Sequence, residues 1–495
     1  MQDAFNNFLP YRRIDPDPAS ETALLVVNQW LRSCLSNHAD CVSSVQTPPR
    51  RLLDVRNPDG IILKTEWLGG PYTALSHCWG GTSTLTLNRW TFNSLASGWP
   101  MHRFPATFQH AIYVTRRLGI PYLWIDSLCI LQDCQKDWEI ESGKMAGVYK
   151  GALLTISASN ARSTTEGFLK PRQIRMCKLR EPGANGRVFY IQDDVSFRDP
   201  TEDEPLNKRA WPLQERILSP RIIHYCNKKM LWECNSSHMS EEGWPSTVLS
   251  SSLWKFPKHD PTDSEAYTKS CYFFWREMVQ ECSRRHLTVQ SDKLPSLSGI
   301  AQEIFQRIQD SYHAGIWHND LPQGLLWYVE PEQQRKPDDY RYRAPTWTWA
   351  AVDGKVSFVR GKFFQILAKI DWISTNPSGA DPFGGVSGGA MRIRGILASV
   401  TTYTCEPPKC PGTNQCNRTP GWDWLDNKLK FEERSGSQRK IQCLGLVQGR
   451  TNSGNIDGFI VEATGMGPNQ YQRIGYCSIC LHHWGDLKEE TIVLI

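Results

Sequence analysis

The chain has 495 residues, length for about three domain-sized units. Lys and Arg number 56 against 51 Asp and Glu, a net charge of only +5, and the basic residues are not crowded into one stretch; this excludes a dedicated nucleic-acid binder, whose phosphate groove needs a larger or more concentrated excess. Apolar residues are 40% and charged residues 22%, which excludes a disordered chain, and no window approaches 18 apolar residues, which excludes a membrane-spanning helix.

In chain order, Leu24 to Leu35 forms an amphipathic stretch, and Thr47 to Arg51 a polar link containing Pro. Tyr72 to Ser76 reads as a strand. Pro105 opens a helix in which Phe108, Ala111, Ile112, Thr115 and Leu118 keep helical spacing and which Gly119 ends. Tyr122 to Asp126 is a second strand, Asp137 caps a helix running to about Tyr149, and Leu153 to Ala158 is a third strand. Strand–helix–strand–helix–strand with short connections predicts a parallel sheet with crossover helices, an α/β fold. Beyond residue 160 the chain is loop-rich as far as Trp211 to Tyr225. Helical patterns follow at 264–285 and 296–311, then short strands at 355–371, 391–404, 439–447, 457–463 and 472–480, with a Gly/Ser/Pro-rich loop at 372–390. The expected divisions are an N-terminal helical or extended segment (1–70), an α/β domain (71–225), a helical middle (226–345) and a mostly β C-terminal region (346–495).

In an open parallel sheet, ligands bind beyond the carboxyl ends of the strands. The first strand ends into Ser76-His77-Cys78-Trp79-Gly80-Gly81 and the second into Asp126-Ser127-Leu128-Cys129. If the two strands are neighbours, His77, Cys78, Asp126 and Cys129 share one rim, a residue set suited to acid–base or nucleophilic chemistry. The alternative is structural: Asp126 caps the next turn and the two cysteines are small core residues. On the second helix Glu141 falls inside an apolar stripe of Trp138, Met145, Val148 and Tyr149. It is either a site carboxylate or half of an ion pair with Arg209 or Arg216. Arg209-Ala-Trp211-Pro-Leu-Gln214-Glu215-Arg216 reads as a buried ionic network or as an anion site. Cys34-x3-His38-x2-Cys41 has ligand-like spacing but three ligands and no obvious fourth. Cys477/Cys480/His482/His483 and Cys405/Cys410/Cys416 are weaker still, so no metal is assigned. There is no P-loop and no dinucleotide-binding glycine motif. Sixteen cysteines without a signal-peptide pattern predict reduced, mostly buried thiols of a cytoplasmic protein. The 20 Trp are about three times the usual share and pose a choice between rigid core and aromatic surface.

Four blocks occur together: Tyr72-Thr-Ala-Leu-Ser-His-Cys-Trp-Gly80; Tyr122-Leu-Trp-Ile-Asp-Ser-Leu-Cys-Ile130 with Gln132-Asp133; Asp137-Trp-x-x-Glu141-x-x-x-Met145 with Val148-Tyr149; and Arg209-x-Trp-x-x-Gln-Glu-Arg216. In this order, over about 72–216, they resemble the fungal heterokaryon-incompatibility (HET) domain. Cys34/His38/Cys41 upstream, Leu287-Thr-x-x-x-Asp292-Lys-Leu and Ser298-Gly-Ile-Ala301 in the middle, and Ala344-Pro-Thr-Trp347-x-Trp349-Ala350 downstream resemble full-length members. One departure is His110 before Ala111-Ile112, where the family commonly has an acid. The resemblance implies a filamentous-fungal protein of non-self recognition or regulated cell death, working through a protein partner or self-association. It also implies a remote likeness to Toll/interleukin-receptor domains, some of which cleave NAD with a Glu. By that analogy Glu141 is the counterpart and NAD the substrate. A third expectation is a small-molecule enzyme using the acid, base and thiol rim.

Overall fold

The computed structural model describes residues 12–42, 48–66, 69–81, 85–174, 176–180, 188–192, 199–243, 255–330, 342–361, 363–403, 438–449, 455–479, 484 and 488–495. The chain divides into two compact units, residues 1–256 and 257–495.

The first unit is built on an eight-stranded sheet. Its strands are β1 (Leu52–Asp54), β2 (Ile62–Lys64), β3 (Tyr72–Ser76), β4 (Tyr122–Trp124) and β5 (Leu154–Ser157), joined after a separate hairpin of β6 (Met176–Arg180) and β7 (Val188–Gln192) by β8 (Arg221–Tyr225), β9 (Met230–Cys234) and β10 (His238–Ser240). The order is β10-β9-β8-β5-β3-β4-β1-β2. The four central strands, β8-β5-β3-β4, are parallel, and the flanking strands are antiparallel. The expected parallel α/β sheet is therefore present. Every residue of β3, β4 and β5 is buried, as a sheet covered on both faces requires.

The helices are α1 (Glu21–Asn37), α2 (Phe92–Ser97), α3 (Ala106–Arg117), α4 (Asp126–Cys129), α5 (Gln135–Gly151) and α6 (Trp211–Leu218). Alternate residues of β3 point to opposite faces. Thr73 bonds Thr115 of α3 at 2.7 Å, while the Tyr72 hydroxyl donates to Val148 O of α5 at 2.6 Å. The two crossover helices thus cover opposite faces of the sheet. Gly119 ends α3 at φ +70°, a conformation that favours glycine. Ser20 caps α1 by accepting from Ala23 N–H, and the helix buries Ala23, Leu24, Val27, Trp30, Leu31 and Cys34.

Two element boundaries differ from the sequence pattern: β4 stops at Trp124, so that Asp126, expected at the strand's end, opens α4. Asp137 does not cap α5, which starts two residues earlier. Its carboxylate is buried in an ion pair with Arg51 and also accepts from Arg50 and from Leu131 N–H. Helix-start patterning cannot distinguish a cap from an acid one turn inside.

The second unit begins with α7 (Ser264–Arg284) and α8 (Pro295–Ile308), within a few residues of the expected helices. Two small hairpins follow, β11 (Tyr312–His313) with β12 (Ile316–Trp317) and β13 (Trp327–Val329) with β14 (Val356–Phe358). The remaining strands are β15 (Phe363–Ile366), β16 (Lys369–Pro377), β17 (Val386–Tyr403), β18 (Gln438–Gly449), β19 (Ile456–Ala463), β20 (Gln470–Ile479) and β21 (Lys488–Leu494). They form a seven-stranded, largely antiparallel sheet, the expected β-rich C-terminal region. The stretch 372–390, expected as loop, is mostly the β16–β17 hairpin: Ile373 pairs with Met391 and Asn376 with Gly388. Gly and Ser there are strand residues, carried by pairing along the whole ladder rather than by local propensity. Among the described residues, no helix is long and apolar enough to cross a membrane.

Candidate functional site

Strands β3 and β4 are parallel neighbours with Tyr72 opposite Tyr122 and Ala74 opposite Trp124. That register brings Ser76-His77-Cys78-Trp79 and Asp126-Ser127 to the same rim. The connection leaving β3 runs to β4 on one side, whereas the chain leaving β5 continues to β8 on the other. The crevice outside β3 and β5 is therefore a topological switch point, the place where open α/β sheets bind ligands.

Asp126 is the hub of the rim and is partly exposed. Its Oδ2 accepts from Trp79 Nε1 at 2.8 Å, and its Oδ1 accepts from Ser127 N–H at 2.7 Å and lies 3.7 Å from His77 Nδ1. His77 is buried edge-on against Phe108, and its backbone carbonyl accepts from Arg209 Nη1 at 3.0 Å. Burial lowers the imidazole to a pKa of about 4; the Asp126 charge opposes this and Arg209 adds to it. His77 is therefore neutral at physiological pH. Gly80, at φ +80°, turns the chain after Trp79, and a Cβ there would lie 2.4 Å from Ser163 Cβ.

The two rim thiols are held protonated. Cys129 is enclosed and pushed up to about 12 by burial, with Asp126 and Glu141 adding to the rise. Cys78 is raised by burial, and Arg209 draws it partly back. Neither has the depressed pKa of a nucleophilic cysteine.

Glu215 has the most unusual carboxyl in the set. It is fully enclosed on α6, and burial raises it to about 7. Ser76 and Tyr149 hydrogen-bond the charged form and pull the other way, while Asp126 repels it. Among the described residues, Glu215 Oε2, His77 Nε2 and Ser127 Oγ are buried without a hydrogen-bond partner. They are three of seventeen such atoms among the described residues, spread over both units, so the rim holds a share of this unsatisfied polarity and not all of it. The sequence pattern leaves Glu215 in either a buried ionic network or an anion site; its proton-holding environment depends on Ser76 and Tyr149, which no local pattern shows.

Glu141 is buried at the expected stripe position of α5, but its ion-pair partner is a lysine on the same helix and not the expected Arg209 or Arg216. Lys144, one turn on, pairs with its Oε1 at 3.1 Å. Arg216 instead forms a buried network with Glu233, Asp199 and Thr201, at 2.8 Å from Nε to Glu233 Oε2. His224 and Lys255 also reach Glu233, which is held well below the usual carboxylate range by Arg216 and Lys255 against its burial. Gln214 is buried, and Trp211 and Trp79 are half-buried.

A separate cluster lies at the end of α1. Cys34, His38 and Cys41 meet Cys234 of β9, and one ligand atom from each falls within 4.8 Å of all the others. Cys234 is the fourth donor that sequence spacing does not supply. It lies almost two hundred residues from Cys41, so only tertiary structure pairs them.

Residues 72–215 match the family model described as Heterokaryon incompatibility protein (HET). The chain carries a HET domain. The matched span begins at the first residue of β3 and ends at Glu215 in α6, so it contains the whole rim. No curated protein and no solved structure matches the chain. Within the HET domain, His110 occupies the position where an acid was expected, and it acts as an acceptor. Its Nδ1 takes the backbone N–H groups of Phe168 and Leu169, each at 3.0 Å, and burial lowers its pKa. A neutral imidazole thus supplies the lone pair that a carboxylate would offer these two donors.

Proposed function

We propose that this chain acts in fungal non-self recognition or regulated cell death, and that its HET domain is a signalling module held shut at the rim until a partner or self-association opens it. The observation that carries this reading is the state of the chemical groups. The thiols are protonated, His77 is neutral and enclosed, and Glu141 is covered and ion-paired, while Glu215, His77 and Ser127 each bury one polar atom without a partner. Stored unsatisfied polarity at one rim favours rearrangement once compensating contacts are offered.

A second reading has its own support. Glu215 at about 7 is poised for proton transfer near neutral pH. A small-molecule reaction at the β3–β5 crevice would use it as acid or base, with His77 and Asp126 orienting the substrate. Cleavage of NAD through Glu141 is the remaining alternative and requires the Lys144 pair to open.

The test uses the full chain expressed under an inducible promoter in a filamentous fungus, with viability scored by a vital dye before and after hyphal fusion with non-self strains. Death that appears on fusion and is lost in folded Glu215→Gln and Asp126→Asn variants is the expected result. Unchanged viability in every confrontation overturns the signalling reading. In parallel, purified protein is incubated with NAD and nicotinamide release is followed. Turnover by wild type but not by Glu141→Gln would replace that reading with the hydrolase.

A further inference from the structure

We propose that Cys34, His38, Cys41 and Cys234 bind a structural zinc ion that pins helix α1 to the edge of the central sheet. The argument starts from ligand type. Three thiols and an imidazole are a soft donor set that selects zinc over the hard cations calcium and magnesium. Cys34 sits in the last turn of α1, His38 and Cys41 in the short turn after it, and Cys234 at the end of β9. His38 ends α1 with its N–H on Cys34 O at 3.1 Å, and Cys41 N–H donates to His38 O at 3.2 Å. Across the gap, Cys234 N–H donates to Ser237 O at 2.9 Å, closing a turn whose Ser237 N–H points back at Cys234 Sγ at 3.3 Å.

Distances agree with a tetrahedral site. Bond lengths of about 2.3 Å to sulfur and about 2.05 Å to nitrogen give edges of about 3.8 Å for S···S and about 3.6 Å for S···N. The Cys234 Sγ to His38 Nδ1 separation is 3.4 Å, and no pair in the set exceeds 4.8 Å, so binding needs a contraction of about 1 Å on the longest edge. Outer contacts suit bound thiolates. Arg221 Nε donates to Cys34 Sγ at 3.2 Å, and its guanidinium also reaches Cys41 O; Asn235 Nδ2 holds Asp40 O at 2.8 Å. Three thiolates, a neutral histidine and Zn2+ sum to one negative charge, and the buried guanidinium of Arg221 lies beside it. Binding releases the thiol protons to solvent and involves no redox change. Four protein ligands leave no open position, which makes the site structural rather than catalytic. The three cysteines are buried and unbridged, and His38 is the half-exposed member.

The test is made on the full chain, purified without a histidine tag or chelator from zinc-supplemented cells. Elemental analysis is expected to give one zinc per chain, and to separate zinc from iron or copper. Iodoacetamide mapping on the wild type assigns the site without any variant: Cys34, Cys41 and Cys234 stay unmodified until EDTA is added, then become alkylated as zinc is released. Co2+ in place of zinc should give tetrahedral d–d bands and a thiolate charge-transfer band. His38→Cys should retain the metal and strengthen that charge-transfer band, while Cys234→Ser loses the metal. A folded wild-type chain without metal, a disulfide between any two of the three cysteines, or zinc content unchanged in a folded Cys234→Ser variant each overturns the proposal.

Discussion

His77 and Glu215 share one rim and are shifted in opposite directions by the same cause, burial. The consequence for stability has a definite sign. His77 falls from 6.5 to about 4, so the unfolded state binds more protons between those values and stability drops as pH falls through that window. Glu215 rises from 4.5 to about 7, so the native state binds more protons and stability drops as pH rises through its window. Between pH 4.5 and 6.5 the two slopes oppose each other. Glu215→Gln should expose the His77 slope. From pH 6.5 down to 4.5 the variant should lose about 3 kcal/mol more than wild type, since each pKa unit is worth about 1.4 kcal/mol. Urea midpoints at the two pH values measure this, and parallel curves for the two proteins would show that Glu215 is ionised in the fold. His110 belongs to the same scale: one imidazole lone pair holds the turn at Phe168 and Leu169, and Gly167 must remain glycine because a Cβ would lie 2.5 Å from the His110 ring.

At the scale of elements, the Arg51–Asp137 pair joins the segment entering β1 to the start of α5. Both side chains are almost fully buried, and Arg51 Nη1 also donates to Cys129 O at 2.6 Å. Removing one partner of a buried pair costs more than removing both, because the survivor keeps its desolvation cost. Asp137→Asn is expected to destabilise the first unit by about 3–5 kcal/mol, and Arg51→Met with Asp137→Leu by less. Chemical denaturation of the three proteins decides it; equal loss in the single and double variants would mean that packing, not the uncompensated charge, dominates. The pair also explains why the Asp137-Trp block reads like a helix cap in sequence. Placement of an acid near a helix start is local, whereas its burial depends on Arg51, more than eighty residues earlier.

For the whole molecule, the tryptophans settle the choice between core and surface separately in each unit. In the first, Trp30, Trp124 and Trp232 are buried, Trp79 lies half-buried at the rim on Asp126, and Trp138 and Trp211 are half-buried against the core; in the second, Trp275, Trp317, Trp327, Trp347 and Trp349 are almost completely enclosed. Arg473 stacks on Trp327, 3.3 Å from the ring centroid, and donates to the Leu325 and Trp327 carbonyls, so even the polar contacts of the second core are organised by an aromatic face. Among the described residues the exposed tryptophans are Trp90, at 80%, and Trp372, at 38%. Trp90→Phe should lower the acrylamide-quenchable share of the fluorescence and shift the emission to shorter wavelength without changing stability by more than about 0.5 kcal/mol. An unchanged quenching curve would mean that Trp90 is covered in solution.

The division between sequence and tertiary structure follows from range. Periodicity, strand runs and turn glycines act over a few residues, and they were enough to predict β3, β4 and β5, the crossover helices α3 and α5 and the parallel sheet, within about three residues of the observed ends, though not the short α2 and α4. Pairing β3 with β4 then follows from short connections, so the meeting of His77 with Asp126 was legible too. What the sequence could not hold is which distant side chain closes each environment. Cys234 completes the cysteine–histidine cluster, Ser76 and Tyr149 enclose Glu215, and Arg51 claims Asp137. Lys144, although only one turn from Glu141, takes the place the distant arginines were expected to fill. Burial and the choice among competing partners are properties of the packed chain, and they decide which carboxyl keeps its proton and where a metal would sit.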